Sequence, residues 1–245
     1  MPRFYLPNAD FSENQLTLLD AQELHHLKNV LRVKTGATIE LFNGRGTSAQ
    51  GILEELTLKH AKIRLTTRSM ENQGTRTKII LACAIPKKAK FEYILEKTTE
   101  LDVDEIIPVL TARTEVKLDA VRAALKHKRY QAVAVNAAKQ CGRAHLPVVH
   151  PISKFKDTLV MLKDVPLKII PSLVGERKTL NEIFDSTKPT AVCFIIGPEG
   201  DFTAEEISLS LREGFVPASL GPNVLKVDTA AIAVVAFARL KISPS

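Results

Sequence analysis

The sequence predicts an α/β protein in two parts: a small N-terminal β-barrel or sandwich, then a parallel sheet covered by helices. Three observations carry this. Short apolar–polar alternations between residues 38 and 66 are joined by tight turns, above all Asn43-Gly-Arg-Gly46; Asn-Gly between such runs is a strong hairpin signal. Beyond residue 78, unbroken apolar runs alternate with segments of helical period, the pattern of strands buried on both faces. Between the two lies a polar, glycine-containing stretch, residues 71–77, read as a linker. The expected domains are therefore 1–70, a linker 71–77, and 78–245.

In the first domain, strands are expected at Thr38–Phe42, Thr47–Leu53 and Ala61–Thr66. A helix from Asp20 through Val30 is expected to place Leu24, Leu27, Val30 and Leu31 on one face. Asp20 is its N-cap and Glu23 sits three residues on, as in a capping box. In the second domain, apolar runs at Ile79–Ile85, Ile106–Leu110, Leu167–Pro171, Ala191–Ile196 and Val216–Leu220 read as strands. Helices are expected at Ala89–Leu101, Ala120–Ala138, from Thr203 to about Glu213, and at Thr229–Leu240. Thr203 and Glu206 have the spacing of an N-cap and its N3 partner.

At 245 residues, with 45% hydrophobic and 25% charged residues, the chain buries an ordinary globular core. No apolar run reaches the roughly 18–20 residues of a membrane span, and the N-terminus lacks the apolar stretch of a signal peptide, so a cytoplasmic protein with no membrane partner is expected. Three dispersed cysteines, Cys83, Cys141 and Cys193, and scattered histidines form neither a disulfide framework nor a metal site. The net charge is +7. Residues 111–145 hold eight Lys or Arg against two acids, and smaller basic clusters lie at Lys28/Arg32/Lys34 and Lys87/Lys88/Lys90. A solvated helix face explains one such cluster; three favour a polyanion partner, most simply nucleic acid.

Three loops carry the chemistry. Gly197-Pro-Glu-Gly200 follows a buried strand and precedes a capped helix, so it lies where parallel sheets bind ligands. Its glycines allow positive φ and close backbone approach. It is no phosphate loop, and Glu199 repels phosphate, so a neutral or cationic ligand fits better; equally, Glu199 serves simply to tie the loop to a neighbouring amide. Leu220-Gly-Pro-Asn-Val-Leu-Lys-Val-Asp-Thr229 is the second loop. Helix capping competes with function at Asp228 and Thr229. Lys226 has no such role, because a cation opposes the dipole at a helix N-terminus. The third, Lys139-Gln-Cys-Gly-Arg143, closes the long basic helix, with Gly142 as a natural C-cap glycine and Cys141 read as packed rather than reactive.

These loops, with His25-His-Leu-Lys-Asn-Val-Leu-Arg-Val-Lys34, Leu41-Phe-Asn-Gly-Arg-Gly46, Lys90-Phe-Glu-Tyr-Ile-Leu-Glu-Lys-Thr-Thr-Glu-Leu101, Pro108 and Ala112-Arg113, resemble the 16S ribosomal RNA uridine-N3 methyltransferases, the RsmE-type branch of the SPOUT superfamily. Each piece alone is weak; their order and spacing along nearly the whole chain are specific. The resemblance implies a PUA-like β-barrel at residues 1–70 and a SPOUT α/β domain at 78–245 with a C-terminal trefoil knot, a rare exception to ordinary chain topology. It implies S-adenosylmethionine as cofactor, a homodimer, 16S ribosomal RNA of the small subunit as substrate, and no metal. By position, Leu173, Ile196, Gly197, Glu199, Gly200, Leu220, Gly221, Val224, Leu225 and Thr229 would line the cofactor pocket. The chain departs from the family pattern in having Asp102 and Asp201 where Gly is usual, Lys226 for Arg and Asp228 for Glu; Lys keeps the charge but lacks the bidentate fork.

Uracil N3 is a poor nucleophile until it loses its proton. Lys226 and Arg113 are therefore expected to stabilise the anion, with Asp228 or Glu199, or else water, accepting the proton. Arg3, Lys28, Arg32, Lys34, Arg45, Lys88 and Arg143 are expected to bind RNA, extended by Arg122, Lys126 and Arg129. The rival readings are a knotted RNA-binding protein without turnover, and the same chemistry on another RNA.

Overall fold

The computed structural model describes residues 1–18, 20–71, 76–87, 90–116, 118–172 and 175–242. The chain separates into two compact units: residues 1–74 with 138–146, and residues 75–137 with 147–245.

The first unit holds β1 (Arg3–Tyr5), β2 (Gln15–Leu18), α1 (Ala21–His25), β3 (Thr38–Phe42), β4 (Thr47–Leu56) and β5 (Ala61–Met70). The strands form one sheet in the order β1-β3-β4-β5-β2. β1 and β3 are parallel and the other pairs antiparallel. With β1 and β2 as its two ends, the sheet is an open half-barrel. Its apolar side is filled by Phe4, Leu18, Leu27, Ile39, Leu41, Leu53 and Ile63. The register between β4 and β5 shifts at Gln50/Gly51 and at Leu53/Glu55, and such bulges bend a strand. A Cβ at Gly51 would stand 2.8 Å from the Arg64 carbonyl, so the bulge requires glycine. The Asn43–Gly46 turn forms as expected: Asn43 Oδ1 accepts from the backbone N–H of Arg45 (2.8 Å) and Thr47 (3.1 Å).

Asp20 caps α1, accepting from Glu23 N–H at 2.8 Å, an arrangement that contributes about 1 kcal/mol. The helix does not continue in α form to Val30. Residues His26–Val30 form a π-helix, with Leu31 N–H bonded to the His26 carbonyl five residues back. The wider turn rotates the residues that follow off the expected face. Leu24 and Leu27 are buried, whereas Val30 and Leu31 are 59% and 42% exposed.

The second unit contains β6 (Lys78–Ala84), α2 (Lys90–Glu100), β7 (Glu105–Leu110), α3 (Ala120–Cys141), β8 (Val148–Val149), β9 (Ser153–Lys154), α4 (Phe155–Met161), β10 (Leu167–Pro171), β11 (Lys178–Thr179), α5 (Leu180–Asp185), β12 (Ala191–Ile196), α6 (Ala204–Arg212), β13 (Val216–Ser219) and α7 (Val227–Ile242). The last turn of α3 groups with the first unit. The strand order is β11-β13-β10-β12-β6-β7-β8, with β9 beside β7, and every pair is parallel. Alternate residues of β6 face opposite cores: Ile79, Leu81 and Cys83 join α2 and α7, while Ile80 and Ala82 join Phe155, Leu159 and Phe202. Burial on both faces is why these strands read as unbroken apolar runs. The β6–β12 register runs from Lys78↔Ala191 to Cys83↔Ile196, which brings their carboxyl ends level and sets the loops after β6, β10, β12 and β13 at one edge.

Candidate functional site

The apolar run of β12 ends at Ile196, where Gly197-Pro198 stops the strand. Asp201 N–H bonds back to the Pro198 carbonyl at 2.9 Å, closing a turn that leads into α6. There Thr203 and Glu206 form a complete capping box. Neither Gly197 nor Gly200 takes a positive φ. Asp201 does, at 60°, and its Oδ1 accepts from the N–H of Phe202 at 2.8 Å. Gly197 is instead set by space: a Cβ there would lie 3.1 Å from the Phe202 ring.

Three anchors hold this loop. Glu199 Oε1 accepts from the backbone N–H of Lys87, just past β6, at 3.1 Å, so this carboxylate braces the loop. The Arg113 guanidinium donates to the Gly200 carbonyl and to that of Phe202 at 3.3 Å. Glu206 is buried, and beyond its cap its Oε1 accepts from Ala112 N–H at 2.8 Å, fixing the turn that carries Arg113. Arg113, expected to stabilise an anion, is thus engaged with loop carbonyls and lies outside the cavity lining.

Leu220-Gly221-Pro222 forms a second wall after β13. Gly221 has φ +113°, a conformation that favours glycine. Helix α7 starts at Val227, so the competing capping role at Asp228 and Thr229 does not arise: the Lys226 carbonyl takes the first intrahelical bond, from Ala230 N–H at 2.8 Å. Asp228 sits within the first turn, where an acid suits the dipole. A third wall follows β10, where the Arg177 guanidinium donates to the Ser172 carbonyl at 3.0 Å.

Between these walls lies a cavity of about 290 Å³. Of the expected cofactor residues, Ile196, Gly197, Glu199, Gly200, Leu220, Gly221, Val224 and Leu225 line it. Thr229 does not; it is exposed on α7. Leu173 lies outside the described residues. Pro171, Ser172, Arg177, Asp201, Asn223, Val227 and Ala230 also line the cavity. The position of Ser172 at the carboxyl end of a parallel strand was the available signal for that group; Arg177 sits in a polar stretch that reads as ordinary surface. Lys226 is exposed and outside the lining. Asp228 is half-buried, and its buried Oδ1 has no hydrogen-bond partner among the described residues. Burial pushes the Cys83 thiol pKa up, and the negative charges of Glu199 and Asp228 push it further. Both acids therefore act on the end of β6. Among the described residues no cluster of His, Cys, Asp and Glu is arranged to hold a metal, and no helix is long and apolar enough to cross a membrane.

An RNA methyltransferase domain family matches residues 73–239, and an RNA methyltransferase PUA domain matches residues 19–66. The ribosomal RNA small subunit methyltransferase E of Bacillus subtilis is 29% identical over 237 residues, covering 94% of this chain and 93% of the relative. That of Synechocystis is 32% identical, covering 89% and 70%. The enzyme of the same name from Neisseria gonorrhoeae, solved bound to S-adenosylmethionine, superposes with a TM-score of 0.87 at 31% identity, covering 97% and 96%. This chain belongs to the ribosomal RNA small subunit methyltransferase E family. A Legionella pneumophila protein in complex with the same cofactor superposes with a TM-score of 0.89 at 32% identity, covering 98% and 97%.

Within the methyltransferase E family the departures at Asp102 and Asp201 gain a physical reading. Both stand at positive φ, 61° and 60°, where glycine is the least strained residue and Asp is among the better tolerated. Asp102 is further held by Arg76, at 2.5 Å, and by Arg239, at 3.2 Å.

The basic residues divide. Lys28, Arg32 and Lys34 are exposed. Arg45 is exposed and donates to the Pro7 carbonyl at 3.1 Å. Arg3 is buried: it bonds the Ala138 carbonyl at 3.0 Å, pairs with Glu40 at 3.3 Å and lies over the Phe42 ring. Desolvation lowers its pKa. Arg143 is buried too, following Gly142, whose φ of +82° ends α3. Arg3 and Arg143 therefore belong to the interior of the first unit, against the expectation that they meet RNA, because packing consumed the charge that the sequence displayed. Lys88 lies outside the described residues. On α3, Arg122 pairs with Asp119 at 3.5 Å and Arg129 with Glu92 at 2.7 Å, so part of the basic stretch is locally neutralised.

Proposed function

We propose that this chain methylates N3 of a uridine in the 16S RNA of the small ribosomal subunit, with S-adenosylmethionine as methyl donor. The observation that carries the reading is the cavity at the carboxyl ends of β10, β12 and β13, in a chain whose relatives are small-subunit ribosomal RNA methyltransferases. Its residues suit the cofactor. Ile196, Leu220, Leu225, Val227 and Ala230 offer an apolar bed, the loop backbones offer donors and acceptors, and Glu199 and Asp201 favour a cationic ligand over a phosphate.

When bound, S-adenosylmethionine supplies an electrophilic methyl group on a sulfonium that needs no help to leave. The chain's own task is to prepare uracil N3. We assign Asp228 as the proton acceptor at N3, on the strength of its orphaned buried oxygen, and Lys226 as the charge that stabilises the anion on N3, O2 and O4. Arg113 and Glu206 hold the cofactor loop in shape. Methylation requires an unstacked base, with Lys28, Arg32, Lys34 and Arg45 gripping the phosphate backbone.

The reading assigns residues 1–70 to RNA binding, 78–245 to methyl transfer with a knotted SPOUT topology, and the working state to a cytoplasmic homodimer. The 80% exposed Leu240 on the apolar helix α7 favours a partner chain, and light scattering of the purified protein tests it. The reaction is tested with tritium-labelled methyl transfer to small subunits from cells lacking their own enzyme, followed by mapping of the base. Label on free transfer RNA instead would overturn the substrate assignment. An unchanged single-turnover rate in Lys226→Ala would remove that residue's role. RNA affinity is expected to fall steeply with salt, and replacing Lys28, Arg32 and Lys34 by Ala should flatten the slope by about 2.

A further inference from the structure

The cavity is electrostatically polarised. Among the described residues that line it, Arg177 is the one cation, and Glu199 and Asp201 are the acids. The two signs are tied to different strands. Arg177 is bonded to the Ser172 carbonyl, immediately after β10, and Ser172 N–H is in turn bonded to Ala218 of β13 at 3.2 Å. Glu199 is bonded to Lys87, after β6. In the order β13-β10-β12-β6, two strand spacings separate β10 from β6, roughly 10 Å.

Arg177 has spare capacity. A guanidinium carries five N–H donors, and among the described residues this one makes a single hydrogen bond, the Nη1 bond to Ser172. The side chain is exposed, so no core packing accounts for its placement. It takes part in no ion pair among the described residues.

We infer that Arg177 binds the carboxylate of the methionine portion of S-adenosylmethionine, an inference that rests on the cofactor reading above. That ligand carries one carboxylate, an ammonium and a sulfonium, and no phosphate. The carboxylate is repelled from the Glu199 side, whereas the cationic sulfur is favoured there. A planar fork of unused N–H groups matches a carboxylate bidentately. Arg177 thereby sets the direction in which the ligand lies across the strand ends and selects for an intact amino-acid tail.

The test is calorimetric titration of the wild-type chain, Arg177→Ala and Arg177→Lys with S-adenosylmethionine and with its decarboxylated analogue. Wild type is expected to favour the intact ligand. Arg177→Ala should raise its Kd by about tenfold, the effect of losing one charge-assisted pair at a partly solvated site, with the Kd of the decarboxylated analogue unchanged. Arg177→Lys should fall between. Equal weakening of both ligands would reduce Arg177 to a loop-closing residue and overturn the inference. Unchanged Kd for both, with slower single-turnover methylation of RNA, would move Arg177 to the substrate and overturn it as well. Failure of wild type to bind either ligand would overturn the cofactor reading itself.

Discussion

Glu206 and its neighbour Glu205 offer a matched pair. Both are acids in the first turn of α6, so both meet the same helix dipole, yet Glu205 is exposed and Glu206 buried. Glu206 Oε2 accepts from Thr203 N–H at 2.9 Å and from Thr203 Oγ1 at 3.3 Å, and its Oε1 accepts from Ala112 N–H at 2.8 Å. Glu206→Ala removes two well-aligned bonds to a charged acceptor, each of which contributes about 1.5–3 kcal/mol. Water can reach the freed N–H groups of exposed Ala112 and half-buried Thr203, so the net loss is set at about 2–3 kcal/mol. Glu205→Ala forfeits only its dipole interaction, about 0.3–1 kcal/mol. For a chain of 245 residues, at about 2–4 °C per kcal/mol, Glu206→Ala should melt roughly 4–12 °C below wild type and Glu205→Ala roughly 1–4 °C below. Parallel thermal scans by circular dichroism and calorimetry measure the gap. Melting of the two variants within about 1 °C of each other would refute the reasoning, because it would mean that the bonds to Thr203 and Ala112 hold nothing in place.

Three further outcomes follow from the same structure. Arg113→Ala removes the donor to the Gly200 and Phe202 carbonyls at an exposed site, so it should weaken S-adenosylmethionine by about fivefold, while kcat at saturating cofactor stays near wild type; a large fall in kcat at saturation would return Arg113 to the chemistry. Asp201→Ala places a methyl side chain at φ 60° and removes the bond to Phe202 N–H, so it should destabilise by about 1–2 kcal/mol, whereas Asp201→Gly should cost less; denaturant titration ranks the two. The third concerns Glu105, whose pKa is lowered from 4.5 to about 2, first by its hydrogen bond to His150 and then by Lys78. A depressed carboxylate stabilises the fold above its unfolded value and loses that contribution as pH falls through the folded one. Glu105→Gln should therefore be less stable than wild type by roughly 3 kcal/mol at pH 7, with the gap closing between pH 4.5 and 2; a gap that does not change with pH would rule out this linkage.

Much of this protein is legible in its residues because local physics acts on them directly. The apolar runs of β6, β7 and β12 are continuous since both faces of a parallel strand are buried, and Thr203 with Glu206 marks a helix start because the box satisfies N–H groups within one turn. The two-residue strands β8, β9 and β11 carry too few residues to show a period. The Thr179–Glu182 box, which is complete in the structure, has the same spacing and marks the start of α5 in the same way. The π-helix at His26–Val30 was hidden because a single widened turn leaves composition and apolar spacing looking α-helical.

Position in sequence revealed that Gly197-Pro198-Glu199-Gly200 and Leu220-Gly221 follow strands of the parallel sheet, and so that they lie at the edge where the cavity opens. It could not reveal that Glu199 spends a carboxylate oxygen on Lys87, that Arg113 holds two loop carbonyls, or that Arg3 and Arg143 are interior. A charge in a sequence is only a capacity to pair. Whether it meets solvent, a backbone carbonyl or a ligand depends on which segments the fold brings beside it, and for Arg3 the carbonyl it meets, that of Ala138, is 135 residues away. For Arg177 the same logic runs the other way: an unremarkable surface arginine in the sequence becomes, at the carboxyl edge of the sheet, the one cation among the described residues lining the cavity.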